Sequence, residues 1–314
     1  MTKDCLFAAA ALFAACMPVA QAQTAAPVPA SPAAPVLGAP ASAAKPVTLR
    51  LKFTPGQTLY YSMITDTNGA LLTGQSGAGM PIQVHMQMLM HQTVKDVRAS
   101  DGAATMEIGL DTMSMGMNGR TFPMPPDKLA QMKTIGTMTI LPTGKTLSFT
   151  PSAGLGAMAP MPGMDLSHTN PMGSLGQLPD ASVKVGDTWK SAVAMGMMGT
   201  QVAAGFTLSG VDTMGGKTIA LIKQTMNGTF DTSAASRAAA PAPAGMAMKG
   251  SVEGTGTLRF DVDAGAVAGQ TSHANITMTM TPPGATAPLN MQMKMTSTLR
   301  RASAPAPTAN PAVQ

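Results

Sequence analysis

Between residues 84 and 92 apolar and polar positions alternate. Val84, Met86, Met88 and Met90 hold the even places, while His85, Gln87 and His91 hold three of the odd ones. Ile276-Thr277-Met278-Thr279-Met280 and Leu289-Asn290-Met291-Gln292-Met293-Lys294-Met295 alternate without a fault. A period of two places one set of side chains on one sheet face and the other set in water, so these runs predict half-buried β-strands. Helical spacing is confined to Pro125-Pro126-Asp127-Lys128-Leu129-Ala130-Gln131-Met132-Lys133, where the prolines suit a first turn and the final lysine a last one. One short helix among strands is therefore expected.

Glycine-bearing tips separate the alternating runs: Ser100-Asp101-Gly102, Thr143-Gly144-Lys145, Met214-Gly215-Gly216-Lys217 and Asp263-Ala264-Gly265. Tight strand connections need a positive φ, which glycine takes at little cost. These tips recur in the same order in two stretches. Leu51-Lys52-Phe53-Thr54-Pro55-Gly56-Gln57-Thr58-Leu59-Tyr60 also matches Val183-Lys184-Val185-Gly186-Asp187-Thr188-Trp189 in type: a short strand, a glycine turn, then an aromatic opening the next strand. The expected fold is mainly β, with antiparallel curled sheets or a half-barrel made from two similar halves, residues 47–150 and 178–301. Residues 23–46 form an Ala/Pro-rich tether, 151–177 a loop rich in Pro, Gly and Met, and 302–314 a disordered tail. A further Pro- and Ala-rich break falls at 231–247. Such segments bury too little to offset the entropy of ordering them.

The segment Leu178-Pro179-Asp180-Ala181-Ser182-Val183-Lys184-Val185-Gly186-Asp187-Thr188-Trp189, followed by Gly254-Thr255-Gly256-Thr257-Leu258-Arg259-Phe260-Asp261-Val262-Asp263-Ala264-Gly265, resembles a family of uncharacterised exported bacterial β-proteins. The resemblance covers most of residues 47–301. It implies export and a duplicated β architecture, and it supplies no catalytic residues.

Export is also written at the start of the chain. Lys3, an apolar run over residues 6–15 and the small-residue pattern Ala20-Gln21-Ala22 lay out a secretory signal peptide over residues 1–22. Its apolar core is shorter than the ~20 residues of a membrane-spanning helix, and no later stretch is long and apolar enough. The expected location is the periplasm or cell envelope, with lipid anchoring through Cys16 as the less favoured alternative. Both cysteines, Cys5 and Cys16, lie inside the signal, so the mature chain carries no thiol for a disulfide, a metal or a nucleophile. The net charge of +5 is spread over a chain with 11% charged residues, which argues against a nucleic-acid surface.

Motifs for chemistry fall short. Gly215-Gly216-Lys217-Thr218 and Thr143-Gly144-Lys145-Thr146 have Val211 and Thr139 where a phosphate-binding loop needs its first glycine. His85 and His91 share a strand face but stand ~20 Å apart along it, at ~3.3 Å per residue. Neither an enzyme nor a cofactor is expected. What stands out is thirty methionines in 314 residues, with aromatics at only 4%. Flexible thioethers fill irregular space and suit apolar molecules of variable shape. The candidate ligand-binding residues are Met86, Met88, Met90, Met278, Met280, Met291, Met293 and Met295, and the expected partner is an apolar small molecule or envelope lipid. One alternative is a structural or interaction module of the envelope. A further alternative is Cu(I) or Ag(I) bound by soft thioether ligands, although register puts the histidines of the strand from Val84 on the face opposite its methionines. No metal ligand is assigned on that account, and the oligomeric state is left open.

Overall fold

The computed structural model describes residues 45–72, 79–152, 176–194, 201–231, 247–281 and 288–305. The signal-peptide assignment, and most of the tether, the tail and both internal breaks, lie outside these residues. The described chain forms β1 (Thr58–Leu72), β2 (Gly79–Val97), β3 (Ala104–Met117), β4 (Arg120–Pro123), α1 (Pro126–Gln131), β5 (Gly136–Ile140), β6 (Thr146–Pro151), β7 (Thr188–Ala194), β8 (Gln201–Met214), β9 (Lys217–Asp231), β10 (Ala247–Asp261), β11 (Ala266–Thr281) and β12 (Leu289–Ala302). All twelve strands join one sheet in the order β6-β5-β3-β2-β1-β12-β11-β10-β9-β8-β7, with β4 paired to β3. Each pairing is antiparallel. The first and last strands meet in the middle, from Tyr60 opposite Ala302 to Leu72 opposite Asn290. Strands β6 and β7, neighbours in sequence, become the two edges.

A sheet with no second layer can bury an apolar face only by curling upon itself. The main core cluster accordingly joins Phe149 of β6 and Val193 of β7, the opposite edges, with Met90, Ile108, Ile222 and Leu258 from between them. A second cluster holds Val202, Phe230, Val252, Ala274, Ile276 and Met278.

One end of the curl is sealed by the segment before β1. Val47 bridges Val183, Leu51 N–H donates to Pro142 O at 2.8 Å, and Lys52 N–H donates to Gly265 O at 2.9 Å. The Arg50 guanidinium donates to the carbonyls of Pro179 and Asp180, and Leu49 is fully buried. Opposite edges of the sheet approach each other here, where Leu178 N–H donates to Thr143 O at 2.7 Å. A cavity of about 30 Å³ lies beside Leu51, Tyr61 and Val94. The short strands expected at Leu51-Lys52-Phe53 and Val183-Lys184-Val185 are thus corrected. Leu51 and Lys52 donate their N–H groups to the hairpin turns at Pro142 and Gly265, Val183 pairs with Val47 in an isolated bridge, and Lys184 closes a turn with Asp187, so neither segment lies in a strand ladder. Strand β12 also runs to Ala302, into the stretch assigned to the tail.

The helix forms where expected and buries no side chain. Strands β4 and β5 share one edge of β3, opposite Ser114–Met117 and Ala104–Ile108 respectively. Between them α1 spans the gap, tied by Met124 N–H to Met113 O and Leu110 N–H to Met132 O.

Candidate functional site

The inner face can be followed row by row across the ladders. Met113, Met88, Met63 and Leu299 lie directly opposite one another on β3, β2, β1 and β12. The next row toward the unsealed end is Met115, Met86, Thr65 and Ser297, and the one after it Met117, Val84, Thr67 and Met295. On β11, Ala274, Ile276 and Met278 stand opposite Met295, Met293 and Met291. Directly opposed residues have Cβ atoms ~4.5–5.5 Å apart, so these thioethers form a continuous surface. A β-bulge between Leu89 and Met90 keeps the face consistent: Asp111 is the extra residue, and Leu110 and Met113 on either side of it both point inward.

All eight methionines assigned from the sequence fall on this face. Met90 and Met278 are buried within the two core clusters, and Met86, Met88, Met280, Met291, Met293 and Met295 are partly exposed. The least covered part lies on β2, β3 and β4. Met80 is 41% exposed, Met115 36%, Met117 38% and Phe122, opposite Met115, 54%. These four are half of the large apolar side chains exposed among the described residues. Phe122 and its neighbour Arg120 were missed in the sequence. The signal was present in Asn118-Gly119, a hairpin tip followed by the alternation Arg120-Thr121-Phe122. Asn118 (φ 48°) and Gly119 (φ 80°) supply the two positive φ angles of a two-residue hairpin turn.

The inner face carries buried glutamines, with Gln270 Nε2 donating to Gln224 Oε1 at 3.2 Å, whereas the described histidines sit on the other face. His85 Nδ1 is 2.7 Å from Asp66 Oδ1, His91 Nδ1 is 2.9 Å from Asp111 Oδ2 beside the Tyr60 ring, and His273 Nδ1 is 3.1 Å from Thr296 Oγ1. An open depression of about 720 Å³ crosses β9 to β12 on that side, lined by residues such as Asn227, Glu253, His273 and Lys294. Among the described residues no three His, Cys, Asp or Glu side chains converge as metal ligands, and no helix is long and apolar enough to cross a membrane. At the sealed end, Asp101 accepts hydrogen bonds from the Arg98 guanidinium and from Ala103 N–H, which hold its carboxyl down at about 2. That pair fastens the β2–β3 turn and touches no part of the inner face.

Fold and site together define a single-sheet curled β-protein whose apolar inner face is sealed at one end and uncovered on β2, β3 and β4 at the other. No family model matches the chain, so the likeness carried by residues 178–189 stays a resemblance. No curated protein matches it significantly either. Among solved structures it is similar to lipovitellin, in a structure of its lipid–protein interactions, with a TM-score of 0.46 and 11% identity over 84% of this chain and 27% of that one. The chain therefore spans about a quarter of that protein's length. It is also similar to DynF from the dynemicin biosynthesis pathway of Micromonospora chersina, with a TM-score of 0.22 and 9% identity over 83% of this chain and 89% of that one. A DUF1329 family protein from Desulfovibrio piger aligns at a TM-score of 0.13 and 8% identity, over 80% of this chain and 88% of that one.

Proposed function

We propose that this chain is a non-enzymatic protein of the bacterial periplasm or envelope that holds the hydrocarbon part of a lipid-like molecule against its methionine-lined inner face. The observation that carries this reading is the exposure of Met80, Met115, Met117 and Phe122 on one face of three adjacent strands, continuous with a buried core. Isolated apolar side chains on a surface need no explanation, but a contiguous group marks a binding surface. Covering it contributes about 25 cal/mol per Å² whatever the covering group. Unbranched thioethers adapt to acyl chains of different length and unsaturation.

The test is uptake of a fluorescent polyene fatty acid by the mature protein, with displacement by a lipid extract of the envelope. Binding at micromolar protein is expected, and it should be abolished in Met117→Asp/Phe122→Asp with the circular dichroism unchanged. No uptake by the unmutated protein would leave the alternative in which another envelope protein covers the patch.

A soft-metal reading is favoured by one observation, the opposed row Met63, Met88 and Met113, which brings three thioethers together from neighbouring strands. Spacing along a single strand does not reveal such a group. Without a thiolate or imidazole among the described residues of this face, binding of Cu(I) should be weak. Replacing the three by Leu, which nearly conserves volume, should remove any competition against a Cu(I) chelator and leave lipid uptake intact. Tight Cu(I) binding abolished by that replacement would make metal the main function.

A further inference from the structure

Along β1, β2, β3, β11 and β12 the inward register positions are apolar or uncharged polar over nearly their whole length. Two charged side chains interrupt this face on those strands and β4, one at each end. Arg301 lies opposite Tyr61 at the sealed end, and Arg120 lies opposite Met117 at the uncovered one. Arg120 is exposed and makes no ion pair or side-chain hydrogen bond with the described residues. Its position is set by the chain. It follows the Asn118-Gly119 turn directly, and that turn is stitched to β2 twice: Asn118 N–H donates to Gln83 O at 2.9 Å, and Gln83 N–H donates to Asn118 Oδ1 at 2.9 Å. An arginine whose backbone is placed this way, with Met117 across the ladder and Phe122 two residues on along the same face, has the form of a head-group anchor beside an acyl surface. Arginine presents a planar fork of donors that matches a carboxylate or phosphate bidentately.

We infer that the lipid-like ligand is an anionic amphiphile whose carboxylate or phosphate pairs with Arg120 while its hydrocarbon chain lies over Met117, Met115 and Phe122 toward Met86. The inference rests on the apolar-face reading above and adds the ligand's charge and direction. Head group and chain end are thereby fixed: the charge stays at the rim by the β3–β4 turn, and the methyl end points toward the sealed end of the curl.

The experiment compares a polyene fatty acid with its methyl ester on the full mature protein, for the unmutated chain, Arg120→Gln and Arg120→Lys. Arg120 is an exposed residue at the start of β4, and circular dichroism with thermal unfolding verifies that each variant is folded. The acid should bind the unmutated protein about tenfold more tightly than the ester, a difference of about 1.4 kcal/mol. Arg120→Gln should remove that preference without weakening the ester, Arg120→Lys should keep part of it, and added salt should weaken the acid alone. Lysophosphatidic acid against monoacylglycerol, run the same way, separates a phosphate source from a carboxylate one. Equal binding of acid and ester, unaltered in Arg120→Gln, overturns the inference while the apolar-face reading stands. Failure of both probes to bind overturns the apolar-face reading, and the inference with it.

Discussion

The inner face carries two patches of the same chemical type in opposite states. On β8 to β11, Val202, Phe230, Val252, Ala274, Ile276 and Met278 are buried. On β2 to β4, Met80, Met115, Met117 and Phe122 are exposed. The difference lies in what stands between the large side chains. In the buried patch the inward positions include Gly228, Gly250 and Gly254, and neighbouring side chains lie across them. A Cβ on Gly228 would come within 2.0 Å of Val202 Cγ1, one on Gly250 within 2.5 Å of Phe230 Cζ, and one on Gly254 within 2.9 Å of Met226 Cε. Large side chains there bend flat over glycine backbone and close the surface. In the exposed patch the inward positions of β2 between residues 80 and 90 hold Met, Ile and Val, those of β3 between 110 and 117 hold Leu and Met, and none is glycine; the inward glycine beside the patch, Gly69 of β1, lies under Met293 of β12. Glycine content on one face therefore separates a self-covered surface from one that awaits a cover.

The two phenylalanines offer the sharpest way to break this comparison. Phe230 is 5% exposed and packs over Gly250, whereas Phe122 is 54% exposed on the same face. Phe230→Ala should lower stability by about 3–5 kcal/mol, and Phe122→Ala by less than about 0.5 kcal/mol, in urea unfolding of the ligand-free protein. The order should reverse for ligand uptake, with Phe122→Ala weakening fatty-acid binding and Phe230→Ala leaving it nearly unaltered under conditions where it is folded. A comparable loss of stability at both sites would mean that the patch on β2 to β4 is packed core.

Strand faces were legible in the sequence because period-two alternation is a local property. Val84-His85-Met86-Gln87-Met88 sets which side chains share a face however the strands are arranged, and the opposed placement of His85 and Met86 in the structure follows from it. The short helix was legible because Pro125 and Pro126 fit only a first turn. Pairing of β1 with β12 was not legible, since it joins residues more than two hundred positions apart and leaves no local mark on either strand. The sealing segment misled for a related reason. Leu51-Lys52-Phe53 has the alternation of a strand, but its backbone partners Pro142 and Gly265 belong to hairpin turns brought in from elsewhere in the chain. At the candidate site the methionine rows could be assigned, but which rows are covered depends on glycines of other strands, and the role offered to Arg120 depends on the strand opposite it.

The packed and uncovered ends can also be compared without any substitution, by pH, because the sealed end holds a buried phenol. Tyr61 is 1% exposed, lies opposite Met90 on one side and Arg301 on the other, and belongs to the main core cluster. Burial disfavours the phenolate and pushes the phenol up to about 12, and the positive charge of Arg301 opposes this only in part. The unfolded chain releases this proton near pH 10, so between about pH 10 and 12 the unfolded state binds fewer protons than the folded one and stability falls as pH rises. Below pH 10 both states are neutral and the contribution is fully present. At about 1.4 kcal/mol per unit of difference, the loss on crossing this window is about 3 kcal/mol. Urea midpoints measured from pH 9 to 12 should therefore decline in the unmutated protein. Tyr61→Phe keeps the ring in the core and removes the proton, so its decline should be shallower by that amount. Fatty-acid uptake at the far end should change little while the protein stays folded, since Tyr61 contributes nothing to the uncovered face. Superimposable pH profiles for the two proteins would show that water reaches Tyr61 and that this end is not sealed.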